Sequence, residues 1–292
     1  MRVSVIYSAT ELRHELSARN RAWAQQRQLL HAESCGGTPV VVYEAQEDER
    51  RHGNFVDGSY AAILSHAAWR KRLGKTHAQA RMCLPRDGRG WKELDSCNSS
   101  DALLMNIFCY PGVAECVKVA SLLSIEPAQI PEFGFKARVP LKNGHVDRTE
   151  VDMRLGDLLV EAKLTESTFQ AKDVAVVQGY RDFRKVFSQR LLPKSGGQFL
   201  GYQLIRNVLA AFAINSSFCL LLDARRPDLL ESWYSVVRAV RLVEMRLRCK
   251  VLTWQELSEA LPVRLREFLD IKFGIVPAGC LASPVPGTER IV

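Results

Sequence analysis

Residues 150–163, Glu-Val-Asp-Met-Arg-Leu-Gly-Asp-Leu-Leu-Val-Glu-Ala-Lys, constrain this chain more than any other stretch. Gly156-Asp157 is a two-residue turn signal between two apolar-rich runs, so the segment reads as a β-hairpin. A two-residue turn pairs Leu155 with Leu158, and the rest of the register follows: Asp152 falls opposite Glu161, and Glu150 opposite Lys163. Directly opposed residues in an antiparallel ladder share a face, about 5 Å apart. One face is then apolar, with Val151, Met153, Leu155, Leu158, Val160 and Ala162. The other carries Glu150, Asp152, Arg154, Leu159, Glu161 and Lys163.

A carboxylate pair directly across a ladder is unfavourable unless a cation neutralises it. A few hard oxygen ligands suit Mg²⁺ or Mn²⁺, which keep several waters and take one or two carboxylates plus a substrate phosphate. Such an ion activates water and stabilises charge on a phosphodiester. Lys163, on the same face, is placed to orient the attacking water or to stabilise the transition state. The pattern therefore predicts metal-assisted phosphodiester hydrolysis, with Asp152 and Glu161 as metal ligands and Lys163 as the catalytic cation. The alternative is an amphipathic hairpin with one wet face, on which Glu150 pairs with Lys163 and Arg154 is merely solvated. Short spacings of this kind recur by chance, and the segment alone leaves both readings open.

Asp152, eight intervening residues, then Glu161-Ala162-Lys163 resembles the D…(D/E)xK signature of the PD-(D/E)XK nuclease superfamily, the restriction-endonuclease-like fold. In that pattern the acidic residue opens the second core strand and the ExK triplet sits on the third. The resemblance implies that Asp152 and Glu161 bind the metal, that the main-chain carbonyl of Ala162 is a further ligand, and that Lys163 is the conserved lysine. Val151 stands where the superfamily often has proline. Val160 to Glu166 and Tyr202-Gln203-Leu204-Ile205-Arg206-Asn207 are similar to a group of bacterial restriction endonucleases inferred from sequence. The resemblance covers roughly residues 99–273. It also implies an acidic residue on the helix before the core strands, for which Asp101 and Glu115 are weak candidates beside a capping or surface role. A Gln on the helix after the lysine, found in exonuclease-like branches, makes Gln178 another weak candidate.

With 292 residues, the chain has room for one large domain or two modest ones. Its 47% hydrophobic and 25% charged residues are those of an ordinary soluble protein. No apolar run approaches a transmembrane helix, and the start turns polar too quickly for a signal peptide, so a cytoplasmic protein without a membrane partner is expected. The eight cysteines include no Cys-x-x-Cys pair and are expected to be reduced and mostly buried rather than zinc ligands. The net charge of +8 favours a polyanionic partner. Arg70, Lys71, Arg72, Lys75, Arg81, Arg86, Arg89 and Lys92 face only Asp87 within their run, which Trp69 and Trp91 bracket. Arg70, Lys71, Arg72 and Lys75 are the candidate nucleic-acid contacts of that run. Arg181, Arg184, Lys185, Arg190 and Lys194 form a second cluster, and Arg238, Arg241 and Arg248 a third; all three sets are alternatively solvated helix faces.

The pattern predicts a helix over 9–33, a short strand over 39–43, loop over 44–49 and helical spacing over 60–73. Residues 85–90 are rich in turn formers and mark the best internal boundary. Asn98 or Ser99 caps a helix that runs through Phe108, and a second helix covers 113–125. Strands are expected at 133–139 and in the hairpin, followed by helices over 169–187 and 199–214, in which Gln203 and Arg206 share a face. Residues 218–223 suit a strand buried on both faces, followed by a helix over 229–247, a last strand over 250–254 and a last helix over 263–273. This order predicts an α/β fold: a restriction-endonuclease-like mixed β-sheet core flanked by helices, with a mostly helical N-terminal elaboration. The expected divisions are 1–95 for substrate recognition, 96–273 for the nuclease-like core and 274–292 for a disordered tail.

The first functional expectation is thus a Mg²⁺- or Mn²⁺-dependent nuclease acting on nucleic acid, DNA above all, in restriction or another defence role. Cutting both strands of a duplex commonly needs two active sites, so a homodimer is one expected assembly. The second is a nucleic-acid-binding protein that kept the fold and lost catalysis. The third is a scaffold whose basic faces bind an acidic protein. No P-loop or internal repeat is present in the sequence.

Overall fold

A computed structural model of the chain describes residues 6–34, 39–45, 50–76 and 92–278. Five strands build the central sheet: β1 (Glu132–Lys136), β2 (Glu150–Leu155), β3 (Leu158–Ala162), β4 (Ser217–Leu222) and β5 (Cys249–Thr253). They lie side by side in chain order. β1, β2 and β3 form an antiparallel meander, while β4 runs parallel to β3 and β5 parallel to β4. Parallel neighbours need long crossovers. Helical segments supply both, so the interior strands are covered on each side. The sequence explains where: β3 and the apolar run of β4 are buried on both faces, as continuous hydrophobic strands must be.

The principal helices are α1 (Ala9–Arg27), α2 (Asp57–Ser65), α3 (Ala67–Arg72), α4 (Ser100–Phe108), α5 (Tyr202–Ala213) and α6 (Val263–Phe273). On one face of the sheet, Leu16 of α1, Leu104 of α4 and Leu269 of α6 join Met153, Val160 and Leu221 in a first core. On the other, Leu204 and Val208 of α5 and Trp233 join Leu159, Phe218 and Leu220 in a second. A small third cluster seats Tyr60 and Ile63 of α2 against Ala102 and Met105 of α4. Ser99 caps α4 through the Ala102 N–H at 3.1 Å. The architecture is α/β with a mixed five-stranded sheet, as a restriction-endonuclease-like fold requires. No helix among the described residues is long and apolar enough to cross a membrane.

Several elements differ from their sequence expectation, each through a backbone conformation that apolar spacing does not reveal. The first helix ends at Arg27 rather than residue 33 because Gln28 takes φ 52° and turns its N–H back onto the last turn. His31–Glu33 then pairs with Val41–Tyr43. The segment 169–187 is not one helix: Gln170 has φ 60°, Ala171–Asp173 pairs with Gln198–Leu200, and only short helices follow. α5 starts at Tyr202 because Gly201, at φ 71°, ends the preceding strand. The expected helix over 229–247 breaks into Pro227–Val237 and Val243–Leu247, with Val240 bridging Phe187 between them. The 113–125 helix is Val117–Leu123. The turn-rich stretch 85–90 lies outside the described residues, as does the tail beyond 278.

The hairpin keeps its predicted register for three pairs: Leu155–Leu158, Arg154–Leu159 and Met153–Val160. There the ladder stops, so Asp152 and Glu161 are not a ladder pair, and Glu150 is not held opposite Lys163. A break in regular strand geometry stands across β2, on β1. Gly134, between the ladder pairs Phe133–Met153 and Phe135–Val151, takes φ 67°. Phe133 and Met153 pack in the first core, whereas Phe135 and Val151 belong to the second. Val151 therefore leaves the apolar face that simple alternation assigned to it, and the meander opens where its acidic residues stand.

Candidate active site

β3 brings Glu161 to the face covered by α5, together with Leu159. Glu161 is 2% exposed and Lys163 5% exposed. The wet face of the alternative reading therefore fails for Glu161 and Lys163, which are buried, while Asp152 and Glu150 stay partly exposed. Lys163 lies one residue beyond Ala162, yet its backbone is fixed at both ends. Its N–H donates to the Leu221 carbonyl at 2.8 Å, and its carbonyl accepts from the Trp254 indole at 2.9 Å. Its Nζ donates to Glu161 Oε1 at 2.8 Å and sits 5.7 Å from the centre of the Phe169 ring. Asp152 is tied to the same strand end, because its Oδ2 accepts the Ala162 N–H at 2.8 Å. Asp152, Glu161 and Lys163 are therefore brought together as the spacing predicted, by a hydrogen bond across opened strands rather than by a continuous ladder.

A second ring of charges comes from outside the hairpin. Asp101, in the first turn of α4, is buried and accepts from Arg72 Nη2 at 2.8 Å and Lys75 Nζ at 3.3 Å. Arg72 Nη1 donates to Glu150 Oε2 at 2.8 Å. Lys75 also reaches Glu93 at 2.9 Å. Glu150 is thus the partner of Arg72 and not of Lys163. Gly134 makes room for this: a Cβ there would lie 2.2 Å from Arg72 Nη1. Glu166 closes the end of β3, accepting from the Ser100 hydroxyl at 2.6 Å and the Leu164 N–H at 2.7 Å.

Carboxylates outnumber cations here, and the acidities record it. Burial, followed by the charges of Glu161 and Asp101, pushes the Asp152 carboxyl well above the ordinary range, against the opposing pull of Lys163 and the Ala162 N–H. Burial and the Asp101 charge likewise raise Glu93 despite Lys75. Burial alone would lower Lys163, but Glu161, Glu166 and Asp152 outweigh it and raise the lysine above its usual value, so it stays an ammonium. This excess negative charge is what a divalent cation would relieve. Among the described residues, no group of three or more His, Cys, Asp or Glu side chains is arranged to hold a metal. The donor set on offer is the Asp152–Glu161 pair with the Ala162 carbonyl, which suits an ion that takes its remaining ligands from water and phosphate.

The other candidate residues divide. Asp101 joins the cluster. Glu115 is exposed in the turn before Val117–Leu123, and no hydrogen bond or ion pair among the described residues ties it to the acids. Gln178 donates instead to Gln189 at 2.9 Å. Arg70 and Lys71 are exposed, while Arg72 and Lys75 turn inward onto the carboxylates. Arg81, Arg86 and Arg89 lie outside the described residues. Sequence reasoning missed Asn207, fully buried on α5, whose Nδ2 donates to Glu161 Oε2 at 2.7 Å. Its neighbour Arg206, which sequence spacing put on one face with Gln203, is 3% exposed and donates to the Glu150 carbonyl at 2.9 Å and to Asn207 Oδ1 at 2.7 Å. A polar residue one step from Arg206 on a strongly apolar helix was the available signal.

A meander continued by two parallel crossovers, with two acids and a lysine at the open end of the hairpin, defines a restriction-endonuclease-like protein. The family model described as restriction endonuclease associating with ARP matches residues 17–274, and the chain belongs to that family. No curated protein and no solved structure matches the chain.

Proposed function

We propose that the protein is a Mg²⁺- or Mn²⁺-dependent nuclease that hydrolyses phosphodiester bonds in DNA, in a restriction or defence role. The observation that carries this reading is the buried Glu161–Lys163 pair at 2.8 Å beside Asp152. Burying ions costs several kcal/mol each, and an apolar replacement would serve stability as well or better. Family membership points the same way.

In this reading Asp152, Glu161 and the Ala162 carbonyl hold the cation. When bound, the ion supplies Lewis acidity toward a phosphoryl oxygen and lowers the pKa of water. Lys163 serves as a cation in this reading, its Nζ 2.8 Å from Glu161 Oε1. An ammonium has three N–H donors and Glu161 takes one of them; the others orient the attacking water or meet charge that develops on phosphate oxygens. Arg72 and Lys75 neutralise Asp101 and Glu150 at rest and offer two further cations beside Lys163 for an incoming phosphate. Arg70 and Lys71 extend that surface outward. A further exposed basic group joins the second and third sequence clusters, since Arg241 Nη1 donates to the Arg184 carbonyl at 3.0 Å, with Lys185, Arg190 and Arg238 also exposed. These patches suit a polyanion and predict strong salt dependence of binding.

The test is cleavage of plasmid, linear duplex, single-stranded DNA and RNA with Mg²⁺, Mn²⁺ or EDTA. DNA cut with either ion and spared in EDTA supports the proposal. Cleavage that persists in EDTA contradicts the metal role, and cleavage of RNA alone contradicts the substrate.

A further inference from the structure

We infer that Asn207, braced by Arg206, is a positioning residue that fixes the carboxylate of Glu161 for cation binding; this rests on the nuclease reading above. Arg206 has only donors, and its Nη2 lies 2.7 Å from one end of the Asn207 amide. That end must be the oxygen, so the amide nitrogen must face Glu161, 2.7 Å away. Asn207 is fully buried, so water does not compete for either bond. Glu161 then has one donor on each oxygen, Asn207 on Oε2 and Lys163 on Oε1, and this holds its carboxylate plane in one orientation. A carboxylate offers about four lone-pair sites, which leaves one on each oxygen for a cation.

The same guanidinium nitrogen also grips the Glu150 carbonyl at 2.9 Å, two residues before Asp152. One residue of α5 therefore sets both the start of the strand that carries Asp152 and the amide that aims Glu161. Neither Asn207 nor Arg206 needs to touch the substrate. Partners that orient a metal ligand typically govern 10- to 100-fold in metal affinity or activity.

The test uses the full chain and Mn²⁺ alone, without DNA, followed by electron paramagnetic resonance. Asn207→Leu keeps the branching and the number of side-chain heavy atoms and removes the donor. It is expected to weaken Mn²⁺ binding about 10- to 100-fold and to lower kcat similarly, with KM for DNA unchanged, below a lowered but still cooperative melting transition. Arg206→Lys keeps the cation but loses the planar fork, and should shift Mn²⁺ affinity in the same direction by about tenfold. Should Asn207→Leu fail to fold, Arg206→Lys decides alone. A folded variant that binds Mn²⁺ as tightly as wild type and cleaves as fast overturns the inference and leaves the nuclease reading intact. Wild type that binds no Mn²⁺ overturns both.

Discussion

Two lysines are buried among the described residues, one in each core. Lys163 lies in the second, beside Phe169, and Lys272 in the first, with its ammonium 3.9 Å from the centre of the Tyr43 ring. Lys163 has Glu161, Glu166 and Asp152 about it, and their charges hold it protonated. Lys272 has no carboxylate partner among the described residues. It donates to the Asn20 side-chain oxygen and the Gly53 carbonyl, and burial drives its pKa well below the ordinary value. The first is a cation inside an acidic site. The second is a buried amine, its charged form disfavoured by burial, that pins α6 to α1. Burial of a lysine alone therefore does not mark a reactive centre here; the carboxylates that surround it do.

The largest expected effect comes from removing charge at the Lys163 end. Asp152→Asn should reduce cleavage about 10³-fold and abolish Mn²⁺ binding at micromolar concentrations, read by single-turnover assay and by titration. Unchanged Mn²⁺ affinity would remove Asp152 from the metal site. Next, Arg72→Met leaves Asp101 and Glu150 without their buried guanidinium and should lower unfolding stability by about 3 kcal/mol in urea titration. A change within experimental error would mean that Lys75 alone suffices to neutralise these acids.

The smallest effect belongs to Lys272. Its folded pKa lies below the ordinary value of 10.5, so below pH 10.5 the unfolded chain binds the extra proton. Stability therefore rises with pH toward 10.5 and is lost as pH falls toward the folded pKa, with a slope of up to about 1.4 kcal/mol per pH unit. Lys272→Met should remove that slope on the alkaline side just below pH 10.5, measured as the difference in unfolding free energy from wild type. Cleavage should be unchanged. A parallel pH profile in both proteins would mean that Lys272 stays charged.

The contrast also shows what local spacing conveys. That Asp152, Glu161 and Lys163 meet was legible because the two-residue turn starts a hairpin that carries all three to one strand end, although the ladder opens before it pairs Asp152 with Glu161. The apolar run of β4 was legible because a doubly covered strand has no polar side. Glu150 was misassigned to Lys163 because its true partner, Arg72, lies 78 residues away in sequence, and because the hairpin ladder ends at Met153–Val160, before it reaches Glu150. The wet-face alternative failed for a related reason: no local pattern shows that α5 will cover the charged face. Asn207 was missed because its meaning depends on Glu161, 46 residues earlier. The helices over 169–214 were overextended because a left-handed residue such as Gln170 leaves no mark in hydrophobic spacing.

The most direct measurement is to make one substitution at both buried lysines. Lys163→Met and Lys272→Met would be compared with wild type for plasmid cleavage in Mg²⁺, with DNA binding and thermal melting followed on the same samples. The account predicts that Lys163→Met stays folded and binds DNA but cleaves about 10³-fold more slowly, while Lys272→Met cleaves as wild type. Undiminished cleavage by folded Lys163→Met would contradict the central claim that the acid–lysine cluster at the open end of the hairpin is the active site.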